Sequence, residues 1–161
     1  MLDVRFLSEH SLRGERGPRL LRYLLAHGAD EFSITVMALQ DTPAPFVDAF
    51  EDELAPYERA VTPRRTLTAS MPTDLVRPVR LWTLTDASLE RLLSFVDESL
   101  FYWPAGPDGW FEDLTIYRRG ELVLGLVSHE KEGVLRLAPN EHREVAALDI
   151  PSEATAESIG Y

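Results

Sequence analysis

His129 and Glu130 follow, after Ser128, on the most apolar run of the chain, Leu122 to Val127. An imidazole titrates near neutrality, and a carboxylate beside it can orient it or exchange a proton with it. Glu112 and Asp113 lie on the sequence side of the same predicted hairpin. Its expected register sets Trp110 opposite Ser128, so that all four groups fall near one end. They are the candidates for an acid/base site: His129, Glu130, Glu112 and Asp113. Strand ends and hairpin loops are where polar site residues commonly sit. The plainer reading is a solvated turn, since charged residues are ordinary there. The same groups could instead make a weak metal site, but the spacing matches no zinc signature. After His129-Glu130, the position at which a zincin carries its second histidine is Gly133.

A second group is aromatic. Tyr102, Trp103, Trp110 and Phe111 crowd a Pro- and Gly-rich stretch, and two of the three tryptophans fall within it. Such side chains anchor recognition because they bury much area at small entropic cost. They also close the ends of cores, which is the commoner use. A third group is acidic: Asp48, Asp52 and Glu53, on a predicted helix. Like charges four apart cost that helix a little stability, as a surface built to meet a basic partner would. A solvated face is the commoner explanation. Glu141-His142-Arg143-Glu144 reads as the outer face of a short helix.

Composition removes many alternatives. Without cysteine there is no disulfide, thiolate metal site or cysteine nucleophile. No glycine-rich phosphate loop, nucleophile elbow, dinucleotide fingerprint or EF-hand is present, so no cofactor is expected. The net charge of −11 opposes nucleic-acid binding. Residues 41–60 hold six acids and one base, and 81–113 hold seven acids and one base, whereas 61–80 hold four arginines and one acid. Lys131 is the only lysine beside fifteen arginines, a bias typical of GC-rich bacterial genomes. No stretch is apolar for the roughly 20 residues a membrane helix needs. The first residues do not read as a signal peptide. A cytoplasmic protein without membrane contact is expected.

The elements that must position these residues follow from periodicity. Leu2 to Leu7 reads as a strand and Ser8 to Gly17 as a loop. A helix opens at Pro18 and closes before Gly28. Phe32 to Leu39 alternates as a strand. Phe46, Phe50, Leu54 and Tyr57 mark one helical stripe, and Pro56 ends it. Arg65–Ala69 and Val79–Leu84 read as short strands around a turn at Met71 to Asp74. Asp86 is the expected N-cap of a helix from Ala87 to Leu100. Glu112 to Leu137 forms a three-stranded meander. Its first turn is expected to be type I at Arg118-Arg119 with Gly120 in a bulge, which would put Leu114, Ile116, Leu122, Leu124 and Leu126 on one face. A last helix spans Glu141 to Leu148.

These readings predict an α+β fold in a single domain over 1–150: a mostly antiparallel sheet with a C-terminal three-stranded meander, packed by three to four helices. Residues 151–161 read as a polar, acidic tail. Two functions fit. The favoured one is a non-catalytic protein-binding module of the immunity or inhibitor type, which would meet a basic protein partner through acidic faces and the aromatic loop. The alternative is a small enzyme with a His/carboxylate site at the aromatic end of the meander. It requires a concave site with convergent polar groups.

Overall fold

The computed structural model describes residues 2–39, 43–67 and 74–154. Among them, nine strands form one antiparallel sheet and four α-helices pack on it, an α+β fold. The strands are β1 (Asp3–Ser8), β2 (Glu31–Ala38), β3 (Glu58–Leu67), β4 (Asp74–Thr83), β5 (Ala105–Gly106), β6 (Gly109–Arg118), β7 (Glu121–Val127), β8 (Glu132–Leu137) and β9 (Glu153–Ala154). The helices are α1 (Arg16–Ala26), α2 (Pro45–Leu54), α3 (Asp86–Leu93) and α4 (Pro139–Ala147). The sheet order is β3-β4-β2-β6-β7-β8-β1-β9, with β5 added beside β6. No helix among the described residues is long and apolar enough to cross a membrane.

The main core joins the apolar stripes of all four helices to one face of the sheet. Leu20, Leu24, Phe50, Leu54, Leu89, Leu92 and Val145 meet Phe32, Trp82, Ile116, Leu124 and Leu135. Phe50 sits at its centre, packed against Trp82, Phe95 and Phe111. The opposite face carries a smaller cluster of Leu67, Val79, Leu81, Tyr117, Leu122, Val127 and Val134. That face is apolar because the β3–β4 hairpin curls over it. Leu67 of β3 lies so close to β7 that a Cβ on Gly125 would stand 2.8 Å from its side chain.

Several expectations need correcting. The β6–β7 turn is the two-residue Arg119-Gly120, with φ 52° and 81°. Positive φ at both central residues defines a type I′ turn, whose twist matches the flanking strands. The register is therefore Arg118↔Glu121, Tyr117↔Leu122 and Ile116↔Leu124, and Val123 is the extra residue of a bulge. Leu122 consequently turns away from Leu114, Ile116, Leu124 and Leu126 and joins Tyr117 in the smaller cluster. The pair read as two short strands is one long hairpin, in which Pro63 stands opposite Pro78. These prolines interrupt the pattern of a central strand but are tolerated where β3 forms the sheet edge. Of the turn expected at Met71 to Asp74, Asp74 instead opens β4, and residues 71–73, like Thr68 and Ala69 of the expected first strand, lie outside the described residues. Glu153 and Ala154, at the start of the expected tail, pair with Phe6 and Arg5; residues 155–161 are also outside the description.

Helix α3 stops at Leu93, and Leu100 reaches the core from a later turn. Its N-cap is Thr85 rather than Asp86. Thr85 Oγ1 accepts from the Ser88 amide at 3.1 Å, and Ser88 Oγ accepts from the Thr85 amide at 2.8 Å. Thr85→Ala is expected to cost about 1 kcal/mol of unfolding free energy. Urea denaturation would measure it, and an unchanged midpoint would mean Ser88 caps the helix alone. His142, expected on a solvent face, is 1% exposed. Its ring Nε2 lies 2.9 Å from the Asp3 carbonyl, because α4 presents that side of its short stripe to β1.

Candidate functional site: a carboxylate–imidazole cluster at a sheet cleft

Strands β2 and β4 are joined by ladder pairs only at Glu31↔Thr83 and Phe32↔Trp82. Beyond these pairs they separate, and a cavity of about 250 Å³ occupies the opening. Its polar lining includes Ser33, Thr35, Thr66, Arg77, Asp113 and Thr115. Leu67 and Val79 form its apolar side. Two strands that stay in one sheet while parting at one end make a slot of this kind, concave and accessible.

Asp113 is placed there by a bulge in β6. Ser33 pairs with Thr115 and Thr35 with Glu112, so Asp113 and Leu114 together stand opposite Ile34. Asp113 has φ 59°. Aspartate is among the few side chains that adopt this left-handed backbone, at some cost, and bulges of this kind re-aim side chains beside sites. The carboxylate is held from below: Asp113 Oδ1 accepts from the Ser128 amide at 2.8 Å, while the Asp113 amide donates to Ser128 Oγ at 2.9 Å. Burial pushes the Asp113 carboxyl above its ordinary value. The Ser128 bond and the positive charges of His129 and Arg77 oppose that shift, and Glu130 adds to it.

The bulge also gathers neighbours. One donor atom from each of Glu112, Asp113 and His129 lies within 4.8 Å of the others. His129 Nε2 is 3.7 Å from Glu130 Oε1, and Glu130 Oε2 is buried without a hydrogen-bond partner. Deeper in the same face, Tyr117 Oη lies 3.4 Å from Ser33 Oγ, and burial raises its phenol. The four residues picked from sequence as acid/base candidates thus meet, although by a different register. Ser128 stands against Asp113, not Trp110, and the cavity opens beside Asp113 and not beside the aromatic loop. Arg77, Thr66, Ser33 and Thr115 went unrecognised. The arginine-rich 61–80 segment was a signal for Arg77; the slot itself left none, since it depends on how two distant strands diverge.

The other binding candidates have different surroundings. Trp103 and Phe111 are buried in the main core, and Trp103 Nε1 donates to the Leu100 carbonyl at 2.8 Å. Tyr102 is half-buried and donates to Glu9 at 2.8 Å. Trp110 is also half-buried. On α2, Glu53 pairs with Arg91, and Glu51 pairs with Arg80. Asp48 and Asp52 are exposed and form no ion pair among the described residues. A second cavity of about 420 Å³ lies beside β1, lined by Ser8, His10, Ser11 and Glu132 among others. Ser8 and Ser11 are occupied with each other in the turn after β1.

Fold and site together define an α+β protein with a carboxylate–imidazole cluster at the mouth of a cleft in its sheet. Compared with protein-family models, curated proteins and solved structures, the chain matches none of them.

Asp113 is expected to be a stability compromise. A native carboxyl raised above its unfolded value binds its proton more tightly when folded, so that contribution is present below the unfolded pKa and lost as pH rises through the folded one. Asp113→Asn keeps the acceptor for Ser128 and tolerates the backbone. It should raise unfolding free energy near neutral pH by about 0.5–2 kcal/mol, as relief of a functional-site compromise does. The gain should fade as pH falls below about 3.9, where the carboxyl becomes protonated in both states. Melting curves across pH would show it; equal stability at every pH would mean the carboxylate is not held at a cost.

Proposed function

We propose that the protein is a small enzyme that takes a small polar molecule into the β2–β4 cleft and moves a proton on it with Asp113 and His129. The observation that carries this reading is Asp113 itself: a non-glycine residue at positive φ, aimed by a bulge into a cavity wall and set beside an imidazole. Its raised carboxyl suits an acid that still holds a proton above the usual carboxylate range. Glu112 and Glu130 would tune His129, while Arg77 and the hydroxyls of Ser33, Thr66 and Thr115 would orient the ligand. A cytoplasmic setting suits this reading.

The test is incubation of the purified protein with fractionated small-metabolite pools, followed by NMR. Consumption of a compound by the wild type, falling by about 10²-fold or more in Asp113→Asn, is the expected result. Consumption that is equal in the variant, or absent from all pools, overturns the reading.

A second reading has its own observation. Asp48 and Asp52 stand one turn apart on α2, facing water without a cation, in a helix whose Glu51 and Glu53 are paired. This supports a module that binds a basic protein, as an immunity or inhibitor protein does. Capture of one stoichiometric basic partner at low salt, lost at high salt, is expected. Affinity unchanged after replacing Asp48, Asp52 and Glu53 with Ser would remove it.

A further inference from the structure

We infer that Glu112, Asp113 and His129 hold a divalent transition-metal ion of the Mn²⁺ to Zn²⁺ series at the mouth of the β2–β4 cleft. The inference rests on the proposed enzymatic reading for its location only, and it concerns what the cluster binds.

Three observations carry it. First, one donor atom from each residue lies within 4.8 Å of the others. Metal bonds of about 2.0–2.2 Å set neighbouring donors about 3 Å apart, so the cluster needs a small contraction. His129 can supply it, since its side chain is exposed and sits in a turn. Second, the outer support is already in place. The Ser128 amide fixes one carboxylate oxygen of Asp113, as hydrogen bonds do for ligating carboxylates. Third, carboxylates gather there, with Arg77 only across the cleft from Asp113. Glu112, Asp113 and Glu130 crowd one spot and form no ion pair with arginine or lysine among the described residues. Glu130 Oε2 is unpartnered there, on a side chain that is 28% exposed, whereas arginines close Glu31, Glu51 and Glu141. An ion would meet the gathered carboxylates, and Glu130 stands near enough to His129 to follow as a further oxygen donor.

The donor set selects the metal. One imidazole and two carboxylates favour ions that accept nitrogen and oxygen, while Mg²⁺ and Ca²⁺ prefer oxygen alone. With no thiolate, thiophilic preference does not enter.

The test is a titration of the full chain, stripped with EDTA, with Mn²⁺ followed by EPR and with Zn²⁺, Mg²⁺ and Ca²⁺ followed by calorimetry. One equivalent of Mn²⁺ or Zn²⁺ should bind, and Mg²⁺ and Ca²⁺ should bind at least 10-fold more weakly. His129→Ala and Asp113→Asn should each weaken Mn²⁺ by about 10–100-fold. Glu121→Gln, an exposed acid at the far end of the same hairpin, should leave it unchanged, and circular dichroism should show every variant folded. Absence of binding, equal binding of Mg²⁺, or binding indifferent to His129 overturns the inference, the last showing an adventitious ion only. The two readings part cleanly. Turnover that survives EDTA and needs Asp113 keeps the acid–base function and sinks the metal; stoichiometric metal without any turnover keeps the metal and sinks that function.

Discussion

Leu124→Asp is expected to abolish the cooperative thermal transition. Leu124 lies on β7, between β6 and β8, and pairs with Ile116 and Leu135 across the two ladders. It is fully buried in the main core. A carboxylate there would have neither water nor a cation. The variant must hold it protonated, bury a charge, or open the sheet, and the least of these costs several kcal/mol. A domain of this size has about 5–15 kcal/mol in reserve, and loss of leucine packing removes a further about 2–5 kcal/mol. Near-ultraviolet circular dichroism and a melting curve would report the result. Leu124→Met is the matched control and should cost less than about 1.5 kcal/mol. A sharp transition for Leu124→Asp near the wild-type temperature would show that β7 is not the centre of the core.

Glu31→Gln should have the next largest effect. Glu31 is 5% exposed on β2. Its Oε1 accepts from Arg59 Nη1 at 2.8 Å, and its Oε2 accepts from Arg64 Nη2 at 2.8 Å and Nε at 3.2 Å. Both arginines belong to β3, which lies beyond β4 in the sheet, so the carboxylate clasps the curl of the hairpin. Breaking a fully buried pair costs about 3–5 kcal/mol. Here the loss should be nearer about 2–3 kcal/mol, because Arg59 is half exposed and regains water when released. Urea unfolding should show a lower midpoint with an unchanged slope. Because the carboxylate is buried, about 1 M salt should not reproduce the effect in the wild type. A loss below about 0.5 kcal/mol would mean the curl is held by Leu67 packing alone and the ion pairs add little.

Much of the architecture could be read from local pattern. The apolar spacing of Leu20, Leu21 and Leu24, and of Phe50 and Leu54, placed two helices correctly, and alternation placed β2. The residues of the site were also visible as types, because His129 and Glu130 lie just past an apolar strand and Glu112 and Asp113 lie on its neighbour. The register was not. Arg118-Arg119-Gly120 suits more than one tight turn, and the choice between them depends on strand twist. Bulges at Val123 and Asp113 then shift which face each later residue shows. Leu122 and the placing of Ser128 were misread for this reason, although every residue type involved was known.

The sequence by itself determined the α+β class, the order of its longer elements though not the two-residue strands β5 and β9, the central place of β7 and the exclusion of cysteine chemistry. Those are properties of periodicity, turn residues and composition, which act within a few residues of chain. Only the tertiary structure decided that β2 and β4 part after Phe32, that the β3–β4 hairpin curls back onto Gly125, and that Asp113 faces Arg77 across the opening. It also decided that Trp103 and Phe111 are spent in the core. Bulges, curl and cleft depend on packing between segments far apart in sequence, where the gain from one buried contact sets the position of the next. No local pattern carries that information.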